Sequence, residues 1–149
     1  MLEVRFADPV WRVATVVDGV TIIENSVTGN GINQIEYIGE WRNSAANAET
    51  GGTNSYTSIP QDTAVIRFVG TQVKLIMVLD VNQCYHEAWV DESYPSQFNG
   101  YNPVRKIGVP TFESPVLPHG PHTLYVRNTG DKCAESRYFW LSLDRVEVI

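Results

Sequence analysis

Only two of the 149 residues are cysteine and three are histidine, and no Cys-x-x-Cys pair occurs. The clustered thiolates and imidazoles of a zinc site are therefore missing. Basic charge is scarce as well: 11 Lys and Arg stand against 17 Asp and Glu, a net charge of −6. That sign opposes binding to a phosphate backbone, so neither nucleic acid nor an anionic membrane surface is an expected partner. Long apolar runs are absent. The strongest, Val73 to Val81, is broken by Lys74 and Asp80 and is far shorter than the ~20 residues of a membrane span. The opening Met-Leu-Glu-Val-Arg-Phe lacks the basic-then-apolar order of a signal peptide, which leaves two readings: a cytosolic protein, or a piece of a longer secreted one. Catalytic fingerprints are missing too, with no Gly-x-Ser-x-Gly elbow, phosphate-binding loop or dinucleotide motif. His119-Gly-Pro-His122 sits in a turn and cannot present two imidazoles on a helix face.

What the chain does have is turn residues and short apolar runs. Eleven Gly and eight Pro are spread from end to end, and no window of helical length holds an apolar stripe free of breakers. Ten strands are expected: Val10 to Val17, Gly19 to Ile23, Gln34 to Trp41, Thr63 to Val69, Gln72 to Leu79, Tyr85 to Asp91, Val104 to Ile107, Thr111 to Val116, His122 to Asn128 and Arg137 to Ile149. Strands at this spacing imply a single all-β domain over 1–149, a β-sandwich or jelly roll. Alternation assigns faces: Ala64, Ile66 and Phe68 point inward and Arg67 outward, while Leu124 and Val126 are buried between Thr123, Tyr125 and Arg127. Val73 to Leu79 is apolar on both faces apart from Lys74, as a covered central strand would be. In the last strand Phe139, Leu141 and Leu143 share one phase and Val146 and Val148 the other, so a bulge at Asp144-Arg145 is expected. Asp18-Gly19 marks a hairpin and Pro118-His-Gly-Pro121 another turn. The polar stretch Asn43 to Ser58 reads as a long surface loop, and long loops in compact domains are often functional.

Three segments carry a family resemblance: Ile35-Glu-Tyr-Ile-Gly-Glu-Trp41, a Gly/Ser/Thr/Asn loop ending in Ser55-Tyr56, and Thr63-Ala-Val-Ile-Arg-Phe-Val-Gly-Thr71 followed by Val73-Lys-Leu-Ile-Met77. Glu87-Ala-Trp-Val-Asp91, Leu117-Pro-His-Gly-Pro-His-Thr-Leu-Tyr-Val126 and Leu141-Ser-Leu-Asp-Arg-Val-Glu-Val148 extend it over about residues 32 to 149. The pattern resembles the galactose-binding-like jelly rolls that serve as carbohydrate-binding modules of secreted polysaccharide-degrading enzymes. The resemblance implies a non-catalytic, extracellular, monomeric module. Its ligand would be a plant cell-wall polysaccharide, a galactose-containing chain first and xylan or another β-glycan next. It would target an attached glycoside hydrolase to that polymer. Jelly rolls also serve as protein-interaction or attachment domains and as ancillary domains of carbohydrate esterases, so the fold leaves those alternatives open.

Jelly-roll connectivity brings three loops to one end: Arg42 to Tyr56, Asp80 to Tyr85, and Thr129 to Arg137. They hold Asn43, Asn54, Tyr56, Asp80, Asn82, Gln83, Tyr85, Asp131, Lys132, Glu135 and Arg137, a set of donors and acceptors suited to sugar hydroxyls. The other reading is a set of solvated loops. Sugars also stack their C–H faces on flat rings. Trp89 is out of phase with Ala88 and Val90, so it either offers such a ring or is covered by the loop after Ser93. Trp41 either closes the end of the sandwich or lines the site, and Trp11 and Trp140 read as packing. Tyr94, Phe98 and Tyr101 form a rim or a small local core. Cys84 and Cys133 fall in two of the converging loops and are expected to form a disulfide, the alternative being free thiols. Modules of this resemblance often carry a structural calcium, for which Glu24, Asn25 and Asp144 are the candidate ligands and Glu36 a weaker one. A small sandwich without a deep insertion offers little wall for a water-excluding cleft, and no catalytic activity is expected.

Overall fold

The computed structural model describes residues 12–44 and 53–149; Trp11 and the start of the expected first strand lie outside them. Among the described residues there is no helix. Twelve strands occur: β1 (Thr15–Val17), β2 (Val20–Glu24), β3 (Gln34–Ile38), β4 (Arg42–Ser44), β5 (Asn54–Thr57), β6 (Thr63–Gly70), β7 (Val73–Leu79), β8 (Tyr85–Val90), β9 (Ser96–Asn99), β10 (Lys106–Glu113), β11 (Gly120–Asn128) and β12 (Leu141–Val148). They form two antiparallel sheets, a β-sandwich with the jelly-roll architecture. The smaller sheet runs β3-β6-β11-β8-β9. In the larger, β12 pairs along one edge with β7, which pairs on to β10. Along its other edge it pairs with two short hairpins laid end to end, through β2 and through β5.

The core lies between the sheets and follows the expected alternation. Ala64, Ile66, Phe68, Leu124 and Val126 of the smaller sheet and Val73, Leu75, Met77, Leu141, Leu143, Val146 and Val148 of the larger are at most 3% exposed. β7 is the most deeply covered strand, with only Lys74 half-buried. The bulge falls where the phase change requires it. Leu143 pairs with Met77 but Arg145 with Ile76, so Asp144 is the extra residue that keeps both apolar sets facing inward. At the first hairpin Asp18 and Gly19 take φ of 51° and 78°, the left-handed pair that a two-residue turn demands.

Three expectations are corrected. Asn43 to Ser58 is not all loop: its ends form β4 and β5, and Asn54, Ser55 and Thr57 are buried. Ser55 and Thr57 face inward as small polar residues because their side chains are hydrogen-bonded there. Asn25 donates to Ser55 Oγ at 3.0 Å, and Thr57 donates to Asp62 Oδ2 at 2.7 Å. The segments Val104 to Ile107 and Thr111 to Val116 are one strand, β10, whose register shifts twice against β7. Within Glu92 to Pro103, read as a loop, lies β9. Its Phe98 packs against the main core and Tyr94 is fully open to solvent, so there is no separate small core.

One ionisable contact ties two connections to a strand. His122, at the start of β11, meets Asp91 Oδ2 at 2.7 Å through Nδ1 and the Pro118 carbonyl at 2.8 Å through Nε2. Both partners are acceptors, so both ring nitrogens are satisfied only when the imidazole is doubly protonated. The Pro118 carbonyl first, then Asp91, raises its pKa above the usual histidine value. A raised folded pKa stabilises the protein fully below the unfolded value near 6.5 and loses that contribution as pH climbs through the folded value. We expect the wild-type melting temperature to fall as pH rises from 6 through 8, and His122→Gln to flatten that slope, as read by thermal denaturation at matched ionic strength.

Candidate functional site

β5 and β12 carry the site because strand pairing puts their out-of-phase residues on the outer face of the larger sheet. Leu141 and Leu143 point into the core, so Trp140 and Ser142 point away from it. Ser142 pairs with Tyr56, and Tyr56 with Arg42, while Asn54 pairs with Ser44; paired residues share a face. Tyr56 and Trp140 meet there with ring centroids 5.4 Å apart and planes tilted by 49°.

Two clefts adjoin this ring pair. The first, about 270 Å³, is lined by Ser44, Asn54, Tyr56, Asn82, Gln83, Arg105, Trp140 and Ser142. Its wall is the β7–β8 connection, held by a hydrogen bond from Trp140 N–H to the Asn82 carbonyl at 3.0 Å. Arg105 reaches it from the approach to β10 and is ion-paired with Asp80 at 3.1 Å. Asn54 and Gln83 are 4% and 1% exposed, yet Asn54 Oδ1 and Gln83 Oε1 have no hydrogen-bond partner in the protein. Both residues line the cleft, but these two oxygens are sealed beneath its surface, Gln83 Oε1 against Gly100, and leaving such an oxygen unpaired costs roughly 1–3 kcal/mol. The second cleft, about 140 Å³, is lined by Glu40, Arg42, Tyr56, Thr57, Ser58, Ile59 and Trp140.

The three expected loops do meet. The first and second share the larger cleft, and a Cys84–Cys133 disulfide joins the second to the third. Beside the disulfide, the Thr129 hydroxyl donates to the Tyr85 carbonyl at 2.9 Å. Of the expected site residues, Asn54, Tyr56, Asn82 and Gln83 line the larger cleft, and Asp80 supports it by holding Arg105. Asn43 pairs with buried Ser55 and so faces the other way. Tyr85 pairs with Asn99 in the smaller sheet. Asp131, Lys132, Glu135 and Arg137 are exposed but line neither cleft.

The tryptophans need the largest revision. Trp41 is 1% exposed, packed on Tyr37 at 5.0 Å with its indole N–H on the Ile38 carbonyl, so it belongs to the core and reaches no ligand. Trp89 does point away from the core, onto the outer face of the smaller sheet. Tyr125 stacks on it at 5.1 Å and the Arg127 guanidinium lies 4.9 Å from its ring centre. Two side chains of the adjacent strand β11 thus flank the half-buried indole. Trp140, read as packing, is half-buried and lines both clefts. The signal was available: Trp140 is out of phase with Leu141 and Leu143 just as Trp89 is with its neighbours. The same phase marks Ser142, whereas Arg105 carries no comparable mark in the sequence.

The candidate calcium ligands lie close together, since Glu24 pairs with Arg145 and Asn25 N–H donates to the Asp144 carbonyl. Among the described residues Glu24 Oε1 is buried without a hydrogen-bond partner, as a metal ligand could be, but the rest of the set is already engaged. A calcium needs six to eight oxygens, whereas here the Arg145 guanidinium holds Asp144 and Glu147, each at 2.8 Å, and the Asn25 amide is bonded to Ser55 and Thr53. Burial pushes the Glu24 carboxyl up, Arg145 pulling against it. Glu36 lies on the other sheet, paired with Arg67 at 2.8 Å. Among the described residues no group of three or more His, Cys, Asp or Glu could hold a metal. His86 is buried on the inward face of β8, where burial lowers its pKa to about 4, so it is a neutral core group beside Phe98.

No protein-family model and no curated protein matches the chain. Solved structures do. A family two carbohydrate esterase from Cellvibrio japonicus aligns over 87% of this chain and 33% of its own, with 12% identity and a TM-score of 0.55. An exo-β-1,3-galactanase from Phanerochaete chrysosporium, solved with β-1,3-galactotriose, aligns over 93% and 30%, with 15% identity and the same TM-score. This chain thus spans about a third of the length of the structures it resembles. The likeness is one of fold, and it agrees with the jelly-roll resemblance of the sequence.

The disulfide closes a segment of 49 residues between β7 and β12, which the chain-entropy treatment values at about 4 kcal/mol. Replacing both cysteines by serine is expected to lower the unfolding free energy by about 2–4 kcal/mol in urea titration. It should also weaken ligand binding, because Cys133 Sγ lies 3.5 Å from the Gln83 carbonyl, at the wall of the larger cleft.

Proposed function

We propose that this protein is a non-catalytic carbohydrate-binding module and that the Tyr56–Trp140 clefts are its binding site. The observation that carries the reading is the Tyr56–Trp140 ring pair, which borders two clefts otherwise lined mostly by polar side chains. Asn82, Arg105 and Ser142 offer polar groups to sugar hydroxyls, and a pyranose face packs on the rings. A ligand lacking the right hydroxyl leaves polar groups of the cleft unpaired, which is a source of selectivity. Among the described residues the two clefts are lined by one carboxylate, Glu40, and by no histidine or cysteine, which supports a site without the acid/base pair of a glycosidase or a nucleophile with its base.

The ligand we favour is a neutral plant cell-wall polysaccharide, a galactose-containing chain ahead of xylan and other β-glycans. The module would act by raising the local concentration of an attached glycoside hydrolase on its polymer. A disulfide belongs to an oxidising compartment, which supports an extracellular setting. Calcium has no part in this reading, since Arg145 takes the place among the carboxylates that the ion would need.

Affinity gel electrophoresis against soluble galactan, xylan, β-glucan and mannan tests the proposal. Retardation by at least one polysaccharide is expected, unchanged by chelator. Tyr56→Ala and Trp140→Ala should each weaken it about tenfold or more, roughly 1.4 kcal/mol, and Trp89→Ala should not. Retardation by none of the four, or loss of binding on Trp89→Ala alone, would remove the site from this face.

A further inference from the structure

Neither cleft alone reaches the ~300 Å³ at which small-molecule pockets usually begin; at about 270 and 140 Å³ they do so only together. They are not independent hollows, because Tyr56 and Trp140 line both. The ring pair is therefore a shared wall, with polar groups of both hydrogen-bonding senses on either side. Asn54, Asn82, Gln83 and Arg105 lie beyond one side, and Glu40, Arg42 and Ser58 beyond the other.

The second cleft is held in shape as firmly as the first. Gly39 takes φ of 117°, and a Cβ there would stand 2.0 Å from Asp62 Oδ1, so the turn closes directly onto that carboxylate. Asp62 is buried and accepts from Glu40 N–H at 2.8 Å and from the Thr57 hydroxyl at 2.7 Å. Glu40 and Arg42 thus flank the cleft from a turn whose backbone is pinned before any ligand arrives, which lowers the ordering cost of binding.

From this we infer that the recognised unit is an oligosaccharide stretch of at least three sugars laid across the Tyr56–Trp140 pair, and not a single terminal sugar. One sugar sits against Asn54 and Gln83, one packs on the rings, and one meets Glu40 and Arg42. The inference rests on the glycan-binding reading and specifies the ligand that its site takes.

Isothermal titration with oligosaccharides of one to five sugars from the galactan, xylan, β-glucan and mannan series tests it. In the series that binds, affinity should rise at least tenfold between one and three sugars and then level off. Arg42→Ala and Glu40→Gln should remove most of that rise with the melting temperature unchanged. A single sugar binding as tightly as three, or a trisaccharide indifferent to both substitutions, would overturn the extended site while leaving the glycan reading in place. Silence of every series with the wild-type protein would overturn both.

Discussion

A single strand that must fill both of its edges organises the larger sheet. β12 meets β7 along one side and two separate hairpins along the other, and its two halves bury side chains of opposite phase. Both demands are met at one residue. Asp144 is the extra position of the bulge, and its carbonyl receives Asn25 N–H where one hairpin gives way to the next. Asn25 is itself fully buried and bridges that junction, its amide bonded to Ser55 on the second hairpin and its carbonyl accepting the Tyr37 hydroxyl from the facing sheet. If the phase did not change there, Leu141 and Leu143 could not be inward together with Val146 and Val148. The face that carries Trp140 and Ser142 would then be lost as well.

Much of this was legible in the residues, because it follows from alternation. The core of β6, β7 and β11, the hairpin at Asp18-Gly19 and the bulge near Asp144 are each dictated by where apolar side chains must go. What alternation does not show is a strand whose buried side chains are polar. Ser55 and Thr57 look like loop because their inward side chains are polar and are satisfied by Asn25, thirty positions away, and by Asp62 across the next turn. The same blindness hid β9, which is mostly exposed, and joined what read as two segments into β10, whose glycine and proline are absorbed by register shifts.

The site was half legible for a related reason. The loops that meet at one end follow from connectivity, and Asn54, Tyr56, Asn82 and Gln83 were found that way. The tryptophans were sorted less well. For Trp41 the residues leave open whether it closes the sandwich or lines the site, and the structure packs the indole into the core. Phase was applied to Trp89 and not to Trp140, although both follow the same rule. The two differ only in what surrounds them: Trp89 has Tyr125 stacked on it and Arg127 beside it, whereas Trp140 borders open clefts.

The three-sided bonding of β12 also has a mechanical meaning. A pull directed along this strand cannot open its ladder one rung at a time, as it would at the free edge of a sheet. It must shear the bonds to β7, to β2 and to β5 together, so the load is divided among three neighbours. Tyr56 is on one of those neighbours and Trp140 adjoins the strand itself, so a glycan holding the two rings would be anchored at the part of the sandwich best able to bear tension.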